Sequence, residues 1–312
     1  MTENQTPTDN NETPVEHRSG YIAVVGKPNV GKSTLVNALV GHKVAIVSPK
    51  PQTTRRRIMG ILTQEDAQII FMDTPGIHEP KYALNKYMMR EVDHALGDCD
   101  AILFVVDVSA SPDDDDRRVA EQIRDMRQPK VMALNKADLL DPNYLIANTE
   151  SYQQLLGSEN TMLTSGVDIK EENLNELMAM LIAALPAGPE YYPPEQYTDQ
   201  PEKVLAAELI REQALRFLEQ EVPHALAVSV DDYALRPNNT TFISATIFVE
   251  RDSQKGILIG RGGGMLKRIG MEARREIERM LGKKVYLELW VKVHESWRRD
   301  EGAVDELMSN MS

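Results

Sequence analysis

Cysteine is almost missing from this sequence: 312 residues contain one, Cys99. A lone thiol closes no intrachain bridge, which excludes a disulfide-built scaffold and suits a reducing cytosol. No apolar run approaches the roughly 18 residues of a membrane-spanning helix. The opening stretch MTENQTPTDNNETPVEHRSG has neither a basic start nor an apolar core. It therefore does not resemble an export signal, and residues 1–18 are expected to be a disordered tail. Aromatic residues are scarce at 5%, and positive charge is in deficit, with 35 Lys+Arg against 48 Asp+Glu.

What remains is ordinary: 42% hydrophobic and 27% charged residues, a composition that excludes collagen-like and low-complexity chains. The length predicts two domains. A net charge of −13 argues against nucleic-acid binding by the chain as a whole. The charge is uneven, however. Between Arg251 and Arg299 there are 13 Lys+Arg and six Asp+Glu, a local +7, which leaves −20 on the remainder. A basic C-terminal module is joined to an acidic body.

From residue 21 to 185, apolar runs alternate with amphipathic segments, the pattern of βα units around a mostly parallel sheet. Strands are predicted at Tyr21–Val25, Gln68–Met72, Ala101–Asp107, Lys130–Leu134 and Thr161–Thr164, with helices at Lys32–Val40 and Asn173–Leu185 among others. Five prolines fall within the 16 residues PAGPEYYPPEQYTDQP. That density predicts an extended, semi-stiff connector, placing the domain boundary at residues 187–202. Beyond it the pattern becomes helix (Glu202–Leu218), strand (Ala225–Val230), strand (Thr241–Glu250), glycine-rich turn, helix (Met265–Met280) and strand (Val285–Val293). Asp113–Asp116 is expected to be a solvated loop.

Gly26-Lys27-Pro28-Asn29-Val30-Gly31-Lys32-Ser33 has the spacing G-x-x-x-x-G-K-S, directly after an apolar strand and opening a helix. Glycines let the backbone curl into a ring of N–H donors, and the helix N-terminus adds positive potential. Lys32 would reach the β/γ-phosphates, Ser33 would ligate Mg²⁺, and Thr34 lies beside them. Asp73-Thr74-Pro75-Gly76 ends the next apolar strand, where the carboxylate can hold a magnesium shell and the Gly76 N–H can face a γ-phosphate. Asn135-Lys136-Ala137-Asp138 follows the strand KVMAL. A carboxylate at Asp138 would accept from the guanine N1–H and amino group, a donor pair that adenine lacks. Asn135 and Lys136 would brace loop and base, and Thr164-Ser165-Gly166 could offer backbone N–H to the guanine carbonyl. Taken singly, Asp73 or Asp138 is as ready to cap a helix as to bind a ligand; in this order and spacing they read as a GTPase.

With these motifs on one chain, the sequence resembles the bacterial Era-type GTPases. The resemblance runs from Tyr21 to Arg299. It implies an α/β P-loop GTPase domain with a mostly parallel sheet (19–186), followed by an α+β type II KH domain (203–300) and a C-terminal tail (301–312). SPKPQTTRRRIMGILT, Ser48–Thr63, resembles that family's first switch, making Thr54 the switch threonine for Mg²⁺ and γ-phosphate. Arg55–Arg57 is either a solvated basic turn or a partner contact. Lys32, Thr54, Gly76 and Asn29 are then the expected catalytic positions, with Asn29 implied to help hold a K⁺. Where many GTPases carry a water-positioning glutamine after the DxxG glycine, this chain has Ile77, so slow intrinsic hydrolysis is expected. One departure is Thr164-Ser165-Gly166, where the family usually has Ser-Ala.

Ile259-Gly260-Arg261-Gly262-Gly263-Gly264-Met265-Leu266-Lys267-Arg268-Ile269 fits the KH pattern IGxxGxxIxxI. A GxxG loop lets a nucleic-acid backbone approach closely, and Arg261 would face phosphate. Leu266, Ile269, Ala273, Ile277 and Met280 recur at helical spacing, leaving Lys267, Arg268, Arg274 and Arg275 toward solvent. Gly260, Arg261, Gly262, Gly263, Lys267 and Arg268 are the expected RNA contacts. Trp297 and His294 are open between RNA contact and packing. The resemblance implies as target the single-stranded 3′ end of small-subunit ribosomal RNA on a maturing small subunit, in the cytoplasm, with peripheral contact to the inner membrane. The competing reading is an RNA-binding adaptor whose G domain is mainly structural. A complete P-loop, DTPG and NKAD argue against it, since a scaffold needs none of them.

Overall fold

A computed structural model describes residues 16–167 and 171–309; most of the expected N-terminal tail, residues 1–15, lies outside them. Six strands form the first sheet: β1 (Arg18–Val25), β2 (Ile58–Thr63), β3 (Ala67–Asp73), β4 (Ala101–Asp107), β5 (Lys130–Asn135) and β6 (Thr161–Leu163). Their order is β2-β3-β1-β4-β5-β6. Every pairing is parallel except β2–β3. Helices α1 (Lys32–Val40), α2 (Ala83–Asp98), α3 (Asp114–Arg124) and α4 (Leu145–Leu156) connect these strands, α5 (Glu171–Ala184) follows the last of them, and together they cover both faces. Leu35 and Val36 of α1 pack with Leu177 and Leu181 of α5 on one face. Val92, Val119, Ile123 and Tyr152 from α2, α3 and α4 pack on the other. Double coverage is why β3 and β4 are apolar nearly throughout. Arg18, expected in the tail, instead opens β1, where its N–H donates to Asp66 O at 3.0 Å.

The second unit comprises α6 (Glu202–Phe217), α7 (Val222–Ala225), β7 (Ala227–Leu235), β8 (Thr240–Val249), α8 (Asp252–Ile259), α9 (Gly264–Leu281) and β9 (Lys284–Val293). Its sheet has the order β7-β8-β9, with β7–β8 antiparallel and β8–β9 parallel. Ile210, Ala214, Leu258, Ile269, Ala273 and Ile277 from α6, α8 and α9 bury its inner face. The start expected for β7 at Ala225 is displaced because Val222–Ala225 forms a helical turn with Pro223 in its first turn.

Three sequence expectations change. The last segment is no tail: Glu301–Ser309 is a helix, α10, burying Ala303, Val304, Leu307 and Met308 against Leu84 and Met88 of α2. Asp113–Asp116 is no loop: Asp113 caps α3 by accepting from Asp115 and Asp116 N–H, within a capping box. The proline-rich connector is fastened along the first unit. Ile61 N–H donates to Tyr197 O at 2.9 Å, Thr198 Oγ1 to Met59 O at 2.7 Å and Ser19 Oγ to Pro189 O at 2.6 Å. The connector thus covers the open edge of β2, which would otherwise present unpaired backbone groups.

Candidate nucleotide and RNA sites

The P-loop links β1 to α1 and is closed from inside by its own lysine. Lys32 Nζ donates to Gly26 O and Lys27 O, each at 3.0 Å. Burial lowers its pKa to about 8, partly offset by Asp73; an anion in the loop favours the charged form. Gly31 takes φ 95° at the head of α1, and a Cβ there would meet Asn135 Nδ2 at 2.4 Å. Asn135 itself donates to Val30 O at 2.7 Å and accepts from Thr164 Oγ1 at 3.2 Å. The NKAD asparagine is therefore a brace between the P-loop and the Thr164–Gly166 loop. Lys136 Nζ is held by Asp107 Oδ2 at 2.6 Å, and Asp138 stands exposed in the following turn.

Ser33, Thr54 and Asp73 come together as three oxygen donors. Ser33 Oγ donates to Asp73 Oδ2 at 2.6 Å and lies 2.8 Å from Thr54 Oγ1, which is 3.4 Å from the same carboxylate oxygen. Asp73 is fully buried, and burial pushes its pKa up to about 6 against the opposing Ser33 hydrogen bond and Lys32 charge. Its Oδ1 is buried and, among the described residues, meets no hydrogen-bond partner. A compact, all-oxygen donor set around a carboxylate with a lone pair to give fits a hard divalent cation such as Mg²⁺. Gly76 passes so close to the P-loop that a Cβ would lie 2.6 Å from Pro28 N.

Ile77 is turned away from the phosphate side. It is 2% exposed and packs in the cluster formed with α2 and α3. Its neighbour His78, without a role in the sequence reading, ties the loop down: Nδ1 donates to Gly76 O at 2.7 Å and Nε2 accepts from Asn85 Nδ2 at 2.9 Å. Lys27 is held at 2.7 Å by both Asp113 and Asp116, and Asp116 is also bonded by Tyr152 OH. No local pattern announces that clasp.

The first switch is threaded between the two units. Thr53 O accepts from Arg211 of α6, which is itself paired with Glu208. Arg55, on the other side of Thr54, donates to Leu226 O and, at 3.2 Å, to His224 O, with its guanidinium 5.7 Å from the Trp297 ring. Val47 N–H donates to Glu212 Oε1 at 3.0 Å, Lys43 Nζ bonds Glu212 Oε2 at 2.6 Å, and Ile46 sits in the core of the second unit. Arg55 and Arg56 are thus buried rather than solvated, and Arg57 is half-buried. Arg56 donates to Gln200 and Arg57 to Asp98.

In the second unit, Gly260 joins α8 to the Arg261–Gly263 turn with φ 73°, and a Cβ there would come 2.7 Å from Met265 Cβ. Beyond the turn, α9 and the edge strand β9 flank a groove of about 440 Å³, lined by Gly263, Leu266, Lys267, Gly270, Met271, Arg274, Tyr286, Leu287 and Leu289. Arg261 and Gly262 are exposed at its entrance. Arg268 is placed elsewhere, with its guanidinium 4.1 Å from the Phe217 ring of α6. Gly270, Met271, Tyr286 and Leu289 were missed by sequence reasoning; the one local signal was a glycine inside a helical pattern. Gly270 leaves open the space beside Leu289, where a Cβ would lie 3.3 Å from its Cδ1. Trp297 is fully buried and donates to Ala225 O at 2.9 Å, so it packs.

Residues 21–136 match the family model described as a 50S ribosome-binding GTPase, and residues 221–298 match a KH domain. The whole chain is similar to a solved structure of Era in complex with MgGDPNP and nucleotides 1506–1542 of 16S ribosomal RNA. Identity is 38%, with 93% of this chain and 98% of that chain covered and a TM-score of 0.89. The chain belongs to the Era family of GTPases. A variant of Era from Aquifex aeolicus bound to GDP·AlF₄⁻ is similar to the same degree: 38% identity, 93% and 98% coverage, TM-score 0.89. As an Era family member this chain is a GTP-hydrolysing enzyme carrying a C-terminal KH domain. Among the described residues, no helix is long and apolar enough to cross a membrane.

Proposed function

We propose that this chain is a GTP-driven switch that loads its KH groove onto single-stranded RNA near the 3′ end of small-subunit ribosomal RNA and assists maturation of that subunit. The RNA named in the structure of its Era relative supports the target. The observation that carries the switch is the position of Thr54. It reaches the Asp73 carboxylate while the residues on either side of it are tied to α6 and to the α7–β7 junction. A segment that senses the nucleotide is thereby also part of the interface with the RNA-binding unit.

In the nucleotide site Lys32 and the P-loop N–H groups bind and orient the phosphates. Ser33, Thr54 and Asp73 would hold Mg²⁺, which supplies charge neutralisation for phosphoryl transfer. Asn135 braces the loop, and Asp138 with Thr164–Gly166 faces the base. Ile77, committed to the core, orients no attacking water, so intrinsic turnover is slow. The buried, unpartnered Asp73 oxygen argues against a purely structural G domain, because a scaffold gains nothing from a desolvated lone pair.

The test is the affinity of the full chain for a ten-nucleotide single-stranded RNA from that 3′ end, with GDP and with a non-hydrolysable GTP analogue. A several-fold difference is expected; identical affinities would overturn the coupling.

A further inference from the structure

With Ile77 committed to the core, the contact that aligns a water for attack on the γ-phosphate has to come from another side chain. Two amide side chains line the nucleotide cleft, Asn29 at the exposed rim of the P-loop and Gln52 on the first switch. The hydroxyls beside them are committed. Ser33 and Thr54 belong to the oxygen cluster around Asp73, and Thr34 lies against Gly166 on the base side. Thr53 Oγ1 donates to Lys50 O at 2.7 Å, and Ser48 Oγ accepts from Lys50 N–H at 3.2 Å. Gln52 also holds φ 61°, a left-handed conformation that glycine would adopt at lower cost. Six non-glycine residues have positive φ among the described residues, and three of them, Asn29, Gln52 and Lys136, border the nucleotide site. Backbone strain of this kind gathers where a side chain is needed in one place.

One histidine ties Gln52 to the loop that follows the γ-phosphate glycine. His78 Nδ1 donates to Gly76 O at 2.7 Å, which leaves Nε2 as an acceptor. That nitrogen accepts from Asn85 Nδ2 at 2.9 Å and faces Gln52 Nε2 at 3.4 Å. The Gly76–Ile77 peptide is held from its other side as well, by Ile77 N–H donating to Gly26 O at 3.1 Å. Gln52 thus stands two hydrogen bonds from Gly76, with its amino group toward the histidine and its carbonyl oxygen, Oε1, left to accept from a water. The contact to His78 is long, as catalytic contacts commonly are before the reactive complex forms.

From this geometry we infer that Gln52 aligns the attacking water in GTP hydrolysis and that His78 is the residue that positions it. The inference rests on the first switch closing over GTP as proposed above. Gln52 Oε1 accepts a hydrogen bond from the water and takes no proton. The water oxygen forms the bond to the γ-phosphorus, and the bond from that phosphorus to the β–γ bridging oxygen breaks with its electron pair retained by GDP. The water protons leave with inorganic phosphate and solvent. Because the glutamine and its histidine belong to different loops, alignment requires both loops in place at once, which fits slow intrinsic turnover.

The test measures single-turnover hydrolysis at saturating GTP and Mg²⁺, together with Kd for GDP and for a non-hydrolysable GTP analogue. It uses the full chain, Gln52→Met, His78→Ala and the double variant. Gln52→Met keeps the length of the side chain without its amide. It should slow hydrolysis about tenfold or more while both Kd values stay within about twofold of wild type. His78→Ala should slow hydrolysis as well, and the double variant should be no slower than Gln52→Met, since the histidine acts through the glutamine. An unchanged rate in Gln52→Met overturns the inference. So does a loss of analogue affinity as large as the loss of rate, which would make Gln52 a prop for the closed switch. Rate losses that multiply in the double variant would overturn the role of His78. A wild-type chain that binds GTP without turning it over would remove the reading of the site itself.

Discussion

Arg55 and Asp116 show how single residues acquire meaning from partners far away in sequence. Arg55 stands in a run of three arginines, yet it is 4% exposed and bonded to carbonyls about 170 positions away. Asp116 stands in a run of four aspartates, yet it is fully buried under Lys27 and Tyr152. Local composition made the aspartate run look solvated and left the arginine run open between solvent and a partner, because composition carries no information on which neighbour desolvates a charge. The P-loop, DTPG and NKAD were legible for the opposite reason: their geometry is encoded by adjacent residues. Asn29 belongs to that legible set. It is exposed at the rim of the cleft with φ 64°. If its side chain helps hold K⁺ there, steady-state GTP hydrolysis should be faster in K⁺ than in Na⁺, and Asn29→Ala should abolish the difference without loss of GDP binding. Equal rates in the two salts would leave Asn29 as a loop brace.

Among elements, those with a strong period of their own were the easiest to foresee: β4, α1 and α9 fall within a residue or two of their expected bounds. Two were not. β2 lay hidden in the switch run, its strand character visible once β3 supplies an antiparallel partner. α10 is short, and its apolar residues look like a fraying terminus until α2 and Trp297 are placed beneath them. Its ion pairs to α2, Lys86–Glu301 at 3.2 Å and Arg90–Asp305 at 2.9 Å, are exposed and contribute little. The apolar side therefore carries the attachment. Leu307→Ala should cost about 2–3 kcal/mol, read as a lower urea midpoint at unchanged slope. A midpoint equal to wild type would mean that α10 is not docked in solution.

At the scale of the whole molecule, the charge asymmetry seen in the sequence corresponds to a division of labour. The acidic unit surrounds an anion site built from N–H groups, Lys32 and a metal-ready oxygen cluster, so its global charge need not be positive. The basic stretch supplies the groove, and the switch segment joins the two. Glu212 is the cleanest place to probe that joint, because it touches neither nucleotide nor metal donors. Its carboxylate accepts from Val47 N–H and Lys43, holding the segment that leads to Thr54. Arg211→Met would strand Glu208 buried without its cation and confuse stability with coupling. Glu212→Ala removes the clamp together with one contact from the neighbouring Gln213 side chain. GDP needs no closed switch, whereas a γ-phosphate engages Thr54. Loss of one or two charge-assisted hydrogen bonds, each about 1.5–3 kcal/mol, should therefore weaken a non-hydrolysable GTP analogue by tenfold or more and leave GDP affinity unchanged. Reciprocity then requires that RNA binding respond less to the nucleotide in the same variant. Equal weakening of both nucleotides would reduce the contact to simple fold stability, and an unchanged analogue affinity would show that Thr54 reaches its place without the Glu212 clamp.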